Sequence, residues 1–466
     1  MDEPYFSNIH LDPTVTYFLF IGELKAYGLN HFVAKALERE FNTPFKAISI
    51  APDLIDTAAF TDLAVFNPTA KSEMEAAGRK VAYRTPISTF SGRLSESAYI
   101  NTLLETLLER QDHIFVWMFE SRPELNLGHE GKITLLGPRA DLIEQLNDKT
   151  WQYETFSKVA PVVDFMICCG TVALEQGLKE LGERSPHGMF VSASHSAGGA
   201  QSMVCQCTED ALGRFTCPET HYLISGYTPH THDPTVLAVV GNENEVYVAG
   251  VADMNIVDGN KFRGSTFPSI LPANIQADLR DYTAAVGQEL GKLGFRGIYG
   301  CDYIVTEDED IFFIEVNARK QGTTMEFCSA LEQLLPKGAP SLFDMEAHAV
   351  LHNGLPEDIQ EPDFDAIING DLHWGTFNHK VETDIITTGE IKQILPERTL
   401  FEQAAVDGLH GHIVLEHTGE DVLVKAGTFL GRVAAVAATR KNMLQELEKG
   451  TNRLAESIVS RETNRY

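Results

Sequence analysis

No stretch of this sequence is apolar for long enough to cross a membrane. The longest apolar runs fall well short of the roughly 20 residues that a membrane-spanning helix needs. The first residues, MDEPYFSNIHLDP, also lack the basic start and the apolar core of a signal peptide. We therefore expect a cytoplasmic protein.

Positive charge is scarce as well. The chain has 37 Lys and Arg residues against 66 Asp and Glu residues, which gives a formal net charge of −29. Such a balance repels the phosphate backbone of nucleic acids and the surface of anionic membranes. Nucleic-acid binding and peripheral membrane attachment are therefore excluded as main functions, and most of the acidic residues are expected to form a solvated surface.

Paired cysteine motifs are missing. The seven cysteines are odd in number and none has C-x-x-C spacing, which predicts reduced thiols. Cys205, Cys207, Cys217 and His221 match no usual zinc framework, so a zinc site is disfavoured. No Ser/His/Asp signature is visible, and no G-x-G-x-x-G follows the first predicted strand, so the fingerprint of a dinucleotide site is absent too.

The chain has the size and the apolar content of a multidomain globular protein. Its 466 residues allow about three domains, and 43% are hydrophobic, which is enough to build cores. An apolar run from Thr16, a helical pattern to Glu40 and the strand Phe45–Ile50 predict a parallel βαβ unit. The pattern continues to the strand Ile133–Gly137, and we predict an open α/β domain over residues 1–140.

The segment from Gly294 to Met325 carries the most informative pattern. Two β-rich runs, Tyr299–Val305 and Ile311–Asn317, flank an acidic turn and predict an antiparallel hairpin. Glu315 and Asn317 lie two residues apart, about 6.7 Å, and so share one face of a strand; Asp302 can join them from the neighbouring strand. Buried carboxylates are costly unless positive charge compensates them, and such oxygen ligands suit Mg²⁺ bound with a nucleotide.

This hairpin resembles the metal-binding hairpin of ATP-grasp enzymes. The shared pattern is Gly-aromatic-x-Gly, an acidic residue in the first strand, and Glu-x-Asn-x-Arg in the second. The resemblance implies that Asp302, Glu315 and Asn317 hold Mg²⁺ or Mn²⁺ bridging the phosphates of ATP. It also implies a catalytic role for Arg319, facing the transferred phosphoryl group or the acyl intermediate.

The resemblance extends to the nucleotide-binding residues, with one departure. Asn147-Asp148-Lys149 resembles a helix start whose lysine touches the phosphates. The family's second phosphate-binding lysine falls at Ser192, which removes one positive charge from the implied site. The implied ATP-binding positions are Lys149, Ser192, the glycine-rich loop with Gly198 and Gly199, and the hinge backbone of Ile224, Ser225 and Gly226.

Two further segments are candidates for the substrate side. Residues 260–268, NKFRGSTFP, are predicted to form a loop in which Arg263 is free to bind a carboxylate. Gly322, Thr323 and Thr324 resemble the loop under the substrates in a subset of ATP-grasp peptide ligases, those with an Arg-Lys-x-Gly-Thr-Thr sequence.

The fold implied is therefore the mixed α/β and α+β architecture of the ATP-grasp family. It would comprise an N-terminal open α/β domain (residues 1–140), linker helices with a mobile lid (141–226), a large nucleotide domain with the hairpin (227–360), and a small C-terminal α+β domain (361–466).

The resemblance implies an ATP-dependent ligase that activates a small carboxylate as an acyl phosphate and joins it to an amine. A biotin carboxylase-like enzyme is an alternative, against which Ser192 and the absence of a visible biotin-carrier domain count. A non-catalytic nucleotide-binding protein is another, favoured by Ser192 and disfavoured by the intact hairpin set. The expected partners are small-molecule acids and amines. A homodimer and a carrier-protein acceptor remain open.

Overall fold

The computed structural model describes residues 3–53, 60–67, 70–82, 85–195, 201–257, 261–388, 397–407, 410–416 and 420–460. Four β-sheets and their helices account for this part of the chain. None of the helices within these residues is long and apolar enough to cross a membrane.

The N-terminal region is built around a six-stranded sheet in the order β1-β4-β3-β2-β6-β7, parallel except for β1. Its central strands are mostly apolar, as expected for strands with both faces covered. A 3-10 helix, Leu24–Leu29, precedes α1. The strands are β1 Phe6–Ser7, β2 Thr16–Ile21, β3 Phe45–Ala51, β4 Leu63–Val65, β6 Ile114–Trp117 and β7 Ile133–Leu136; the helices are α1 Asn30–Phe41, α2 Ala70–Ala77, α3 Ile87–Ser95 and α4 Ala98–Leu108.

A second, four-stranded antiparallel sheet occupies the predicted lid, in the order β10-β9-β11-β8. It has a core of its own beneath helix α7, which includes Leu174, Leu178, Val191 and Ile224. The elements of this region are α5 Ala140–Leu146, α6 Lys149–Phe156, β8 Phe165–Cys169, α7 Gly170–Gly182, β9 Met189–Ala193, β10 Ser202–Cys205, α8 Thr208–Leu212 and β11 His221–Gly226.

The largest sheet has eight antiparallel strands in the order β16-β15-β12-β13-β14-β17-β21-β19. Helix α9 covers one face, while α10, α11 and residues of the N-terminal sheet pack on the other. The strands are β12 Pro234–Val240, β13 Val246–Val257, β14 Lys261–Phe267, β15 Gly297–Val305, β16 Ile311–Asn317, β17 His373–Lys380, β19 Gly411–Glu416 and β21 Phe429–Ala437; the helices are α9 Ala273–Lys292, α10 Thr324–Leu334, α11 Leu342–His352, α12 Phe364–Ile368, α13 Glu397–Asp407 and α14 Arg440–Glu456.

The prediction of a loop over residues 260–268 is wrong, because β14 occupies most of this stretch. The strand pairs with β13 and β17. Gly264 allows the close approach of β17: a Cβ atom there would lie 1.9 Å from the carbonyl oxygen of Thr376. Phe267 stacks on Trp374 across the same strand pair. Gly264 thus permits a tight contact between two strands.

The C-terminal strands take part in two sheets. Strands β17, β19 and β21 continue the large sheet, so the sheet runs across the predicted domain boundary at residue 360. The fourth sheet, in the order β22-β18-β20-β5, joins β5 Val81–Ala82 from the N-terminal region to β18 Ile385–Thr387, β20 Leu423–Val424 and β22 Ile458–Ser460. The β-prone residues Ile391–Ile394 also predict a short strand, and this stretch lies outside the described residues.

Candidate active site

The hairpin of β15 and β16 brings the three predicted metal ligands together. Asp302 lies directly opposite Glu315, and Asn317 lies opposite Gly300. Directly opposite residues of an antiparallel pair point to the same face with their Cβ atoms about 5 Å apart. Tyr299, which alternates with these positions, points to the other face and packs in the core under α9. One face of the hairpin therefore carries these polar side chains, and the other face packs in the hydrophobic core under α9.

Asp302 is the most densely bonded of the three residues. It is 8% exposed. Its Oδ1 accepts hydrogen bonds from Thr235 Oγ1 (2.7 Å) and Gln321 Nε2 (3.2 Å), and its Oδ2 accepts one from Asn317 Nδ2 (2.8 Å). Gln321 reaches this position because residue 300 is glycine: a Cβ atom there would lie 2.0 Å from the side-chain carbon Cδ of Gln321.

Sequence reasoning missed both Thr235 and Gln321. Thr235 lies opposite Asp302 on β12, a pairing made only by the folded sheet. The sequence did contain a signal for Gln321 as a site residue, because it follows the Glu-x-Asn-x-Arg pattern by two residues.

Two cations flank the polar face. Lys149 Nζ forms an ion pair with Glu315 Oε2. Arg319 donates from its NH2 nitrogen to Asn317 Oδ1 (2.8 Å). The position of Lys149 follows from the helix start that the sequence predicts, because the Asp148 side chain caps α6 by accepting from the backbone N–H groups of Thr150 and Trp151. The structure therefore places both predicted cations beside the three hairpin residues.

The charges on the hairpin face are only partly balanced. Burial, followed by the negative charge of Glu315, raises the pKa of Asp302 to about 6. Burial also acts to raise the pKa of Glu315, but Lys149, together with Arg319 and Asn317, lowers this pKa overall. A buried carboxyl group whose ionised form is disfavoured in this way can be stabilised as an anion by a bound cation.

The donor set fits a hard divalent cation. It offers two carboxylates and one amide oxygen, and Mg²⁺ commonly takes one or two protein carboxylates and completes its shell with phosphate and water. Within the described part of the chain, no group of three or more His, Cys, Asp or Glu side chains is arranged to hold a metal ion. The residues present therefore suit Mg²⁺ or Mn²⁺ carried by a nucleotide, while their role as ligands stays a prediction.

Glu120 connects this site to the N-terminal sheet. It follows β6, at the carboxyl end of the strands, and its Oε2 lies 3.6 Å from Arg319 Nε. The same carboxylate accepts hydrogen bonds from Arg122 (2.9 Å) and from Asn147 Nδ2 (2.7 Å). Sequence analysis missed Glu120, because a lone acid after a short strand has no distinctive pattern.

Ser192 lies on the lid face that is turned toward the hairpin. It is fully buried, and its hydroxyl donates to the carbonyl oxygen of Ala193 (3.0 Å). It pairs with Leu223, whose side chain packs against Ile304 of the hairpin. The backbone N–H of Lys149 donates to the carbonyl oxygen of Ser194 (2.8 Å), which brings the end of this strand next to α6. Gly198 and Gly199 lie outside the described residues.

The predicted hinge residues form the inner part of the lid sheet. Ile224 and Ser225 pair with β8 on one side and β9 on the other. The Ile224 side chain packs in the lid core, and the N–H of Gly226 donates to the carbonyl oxygen of Asp164 (2.9 Å). Much of this backbone is thus engaged within the sheet, and contact with adenine stays a prediction.

The substrate candidates fall into two groups. Thr323 precedes α10 and Thr324 begins it, and the carbonyl oxygen of Gly322 accepts a hydrogen bond from Arg432 of β21 (2.9 Å). Arg263, predicted to be free in a loop, instead lies on β14 and pairs with Glu382 (2.8 Å). Arg263 therefore already has an acidic partner, and its contact with a substrate carboxylate stays a prediction.

Comparisons with known proteins give one relative by sequence and many by structure. No family model matches the chain. The [butirosin acyl-carrier protein]–L-glutamate ligase of Niallia circulans is 30% identical over 112 residues, which is 24% of this chain and 26% of that protein. The match thus spans about a quarter of the curated relative.

Solved structures cover nearly the whole chain. N5-carboxyaminoimidazole ribonucleotide synthetase from Thermus thermophilus has a TM-score of 0.55 and 17% identity, over 95% of this chain and 99% of that one. The biotin carboxylase domain of 2-oxoglutarate carboxylase from Hydrogenobacter thermophilus has a TM-score of 0.62 and 15% identity, over 93% and 89%. Biotin carboxylase from Campylobacter jejuni has a TM-score of 0.61 and 15% identity, over 95% and 91%. With the hairpin geometry described above, these likenesses show that the chain has the ATP-grasp fold.

Proposed function

We propose that this protein is an ATP-dependent carboxylate-amine ligase that uses Mg²⁺ and releases ADP and phosphate. One observation carries the proposal: a single hairpin face presents Asp302, Glu315 and Asn317 between the cations Lys149 and Arg319. Buried oxygen ligands between two cations suit the phosphates of a nucleotide and a transferring phosphoryl group.

Each residue has a role in this reaction. Asp302, Glu315 and Asn317 would hold Mg²⁺, which supplies neutralisation of phosphate charge when bound. Lys149, which pairs with Glu315, would meet a phosphate of the nucleotide. Arg319, oriented by Asn317 and Glu120, faces the charge that develops as phosphoryl transfer proceeds.

The chemistry takes two steps. A carboxylate oxygen of the acid attacks the γ-phosphorus of ATP, the bond to ADP breaks, and an acyl phosphate forms. The amine nitrogen then attacks the acyl carbon, loses a proton, and displaces phosphate to leave an amide. The predicted lid and the substrate loop at Gly322 would exclude water, because water would hydrolyse the acyl phosphate.

The relative from Niallia circulans supports a particular kind of substrate. Its name describes the joining of L-glutamate to an acyl-carrier protein. We infer that an amino acid is a good candidate for one of the two substrates, and that a carrier protein belongs in the set of acceptors to be tested. A homodimer and a cytoplasmic location remain predictions.

Ser192 favours a second candidate, a nucleotide-binding protein without turnover. A lysine fixed near the phosphates adds attraction that a serine hydroxyl does not. A carboxylating reaction is a further alternative, because carboxylases are among the structural neighbours.

The test measures ADP release from Mg-ATP with pools of amino acids and other acids, each with and without amine or carrier-protein acceptors. Bicarbonate is included as a separate acid. The variant Glu315→Gln is compared with Glu332→Gln, which changes a partly exposed acid on α10.

Release that requires both an acid and an acceptor, and that is lost only in Glu315→Gln, supports the ligase. If ADP release requires bicarbonate, a carboxylase replaces the ligase as the proposed function. Tight Mg-ATP binding with no turnover in any pool replaces it with the non-catalytic protein.

A further inference from the structure

A fully buried ion pair lies next to Arg319. Lys320 Nζ is 2.7 Å from Glu346 Oε2, and each side chain is 1% exposed. Lys320 is the next residue after Arg319, whereas Glu346 belongs to α11. Desolvating two charges is expensive, and an apolar pair of similar size would often serve stability equally well. None of the steps proposed above uses either residue.

The surrounding backbone leaves space for this pair. A Cβ atom on Gly137, at φ +141°, would lie 3.2 Å from Lys320 Nζ. A Cβ atom on Gly297, at φ +129°, would lie 2.7 Å from Glu346 Oε1. Both glycines adopt conformations that other residues rarely take. The ion pair therefore leaves little room for any side chain at position 137 or 297.

Two aromatic rings complete the enclosure. Lys320 Nζ lies 5.9 Å from the ring centre of Trp117 and 5.7 Å from that of Phe343. Electron-rich ring faces attract a desolvated ammonium group. Trp117 ends β6 of the N-terminal sheet and Phe343 lies in the first turn of α11, so the ammonium group contacts both regions.

The pair also joins the backbones of three elements. The Lys320 N–H donates to the carbonyl oxygen of Phe119, just after β6 (3.3 Å). Glu346 Oε1 accepts from the N–H of Ile298, at the start of β15 (3.1 Å). Arg319 lies next to these contacts. Its guanidinium carbon is 6.0 Å from the centre of the Phe119 ring, and its Nε atom is 3.6 Å from Glu120 Oε2. The N-terminal sheet, the hairpin and α11 therefore meet at the residue that follows Arg319.

We propose that Lys320 and Glu346 are positioning residues that hold the Arg319 guanidinium at the transferring phosphoryl group. Removing the pair leaves the backbone after β16 free to shift, and Arg319 shifts with it. Displacements of about 1 Å can cost up to about 100-fold in rate. This inference rests on the proposed function, because it assumes that Arg319 faces a phosphoryl group.

The test replaces both charges in the double variant Lys320→Met/Glu346→Met, which leaves no unpaired buried charge. Calorimetry measures the binding of Mg-ADP alone and of Mg-ADP with aluminium fluoride, a mimic of the transferring phosphoryl group that needs neither acid nor amine. Thermal unfolding is followed in parallel. We expect a melting temperature close to that of the wild type, unchanged Mg-ADP affinity and about 10-fold weaker binding of the fluoride complex.

The matched control is Lys35→Met/Glu332→Gln. It removes an ion pair that also joins the N-terminal region to a helix on the large sheet, but an exposed one (3.1 Å). We expect wild-type binding of both ligands. An equal loss in this control would overturn the inference, since any link between the two regions would then have the same effect.

Wild-type affinity for the fluoride complex in the double variant would also overturn it. If that variant fails to fold, Glu346→Gln keeps the side-chain size and the acceptor for Ile298, and wild-type fluoride affinity in this variant would be equally decisive. Failure of the proposed function looks different: wild-type protein would then bind neither Mg-ADP nor its fluoride complex, or would show no substrate-dependent ADP release.

Discussion

The hairpin and the lid are both antiparallel and both belong to the proposed nucleotide site, yet they are expected to contribute in different ways. In the hairpin, the polar side chains on one strand face have defined partners: Asp302 with Thr235, and Glu315 with Lys149. In the lid, the predicted contacts are mostly backbone groups, and side chains such as Ile224 serve the lid's own core.

The two regions therefore differ in how strongly their proposed functions restrict the choice of residue. A metal-binding face needs particular oxygen atoms at particular distances, so few substitutions are tolerated. A phosphate contact made by backbone N–H groups tolerates many side chains. If backbone N–H groups make the phosphate contact of the lid, Ser192 weakens that contact by one charge without abolishing it. A comparable change at Asp302 would remove a proposed metal ligand.

The largest effect is expected for Asp302→Asn. The change leaves Thr235 and Gln321 in place but removes a negative charge, and we expect about 100-fold weaker binding of Mn²⁺ with ATP. The measurement is a titration of Mn²⁺ by electron paramagnetic resonance. Asp308→Asn in the exposed turn of the hairpin is the matched control. Wild-type affinity in Asp302→Asn would mean that the hairpin face is not a metal site.

An intermediate effect is expected for Gly300→Ala. The added Cβ atom would displace Gln321, which lies 2.0 Å from its position. We expect about 1–3 kcal/mol of destabilisation from overpacking and about 10-fold weaker Mn²⁺ binding, because Asp302 loses a donor. Denaturant unfolding and the same titration measure the two effects.

Gly92→Ala in α3 is the control for this substitution. Its new Cβ atom would meet only Glu124 Cβ at 3.9 Å, an ordinary contact. Alanine is favoured over glycine in a helix, so a gain of up to about 1 kcal/mol is expected. Equal losses of Mn²⁺ affinity in both glycine variants would show that the contact with Gln321 does not matter.

The smallest effect is expected for Ser192→Lys. If the buried face of β9 meets the phosphates, an added ammonium group should strengthen Mg-ATP binding by about 3- to 10-fold, because its attraction to phosphate exceeds the cost of desolvating a lysine at this buried position by a net amount on the order of 1 kcal/mol. Gln206→Lys adds the same charge at an exposed lid position and should change little. Tighter binding in both variants would indicate general attraction, and no gain in Ser192→Lys would remove this strand from the phosphate site.

Local pattern located the hairpin well but not the strand β14. The predicted runs of the hairpin differ from β15 and β16 by at most two residues at one end, because alternation and an acidic turn are local signals. The stretch with Gly264 is predicted as a loop, yet it forms a strand. Its role in a tight strand contact depends on Thr376, which lies far away in the chain.

Residue spacing alone determined that Glu315 and Asn317 share one face of the hairpin, and the Asp148 cap determined where Lys149 begins its helix, because both depend on neighbours within a few positions. Only the tertiary structure decided that Thr235, Glu120 and Gln321 complete this site, that Arg263 pairs with Glu382, and that Lys320 is buried against Glu346. The physical reason is that hydrogen bonds and ion pairs depend on distances in space, and these contacts join strands and helices whose order in the folded sheets no short segment specifies.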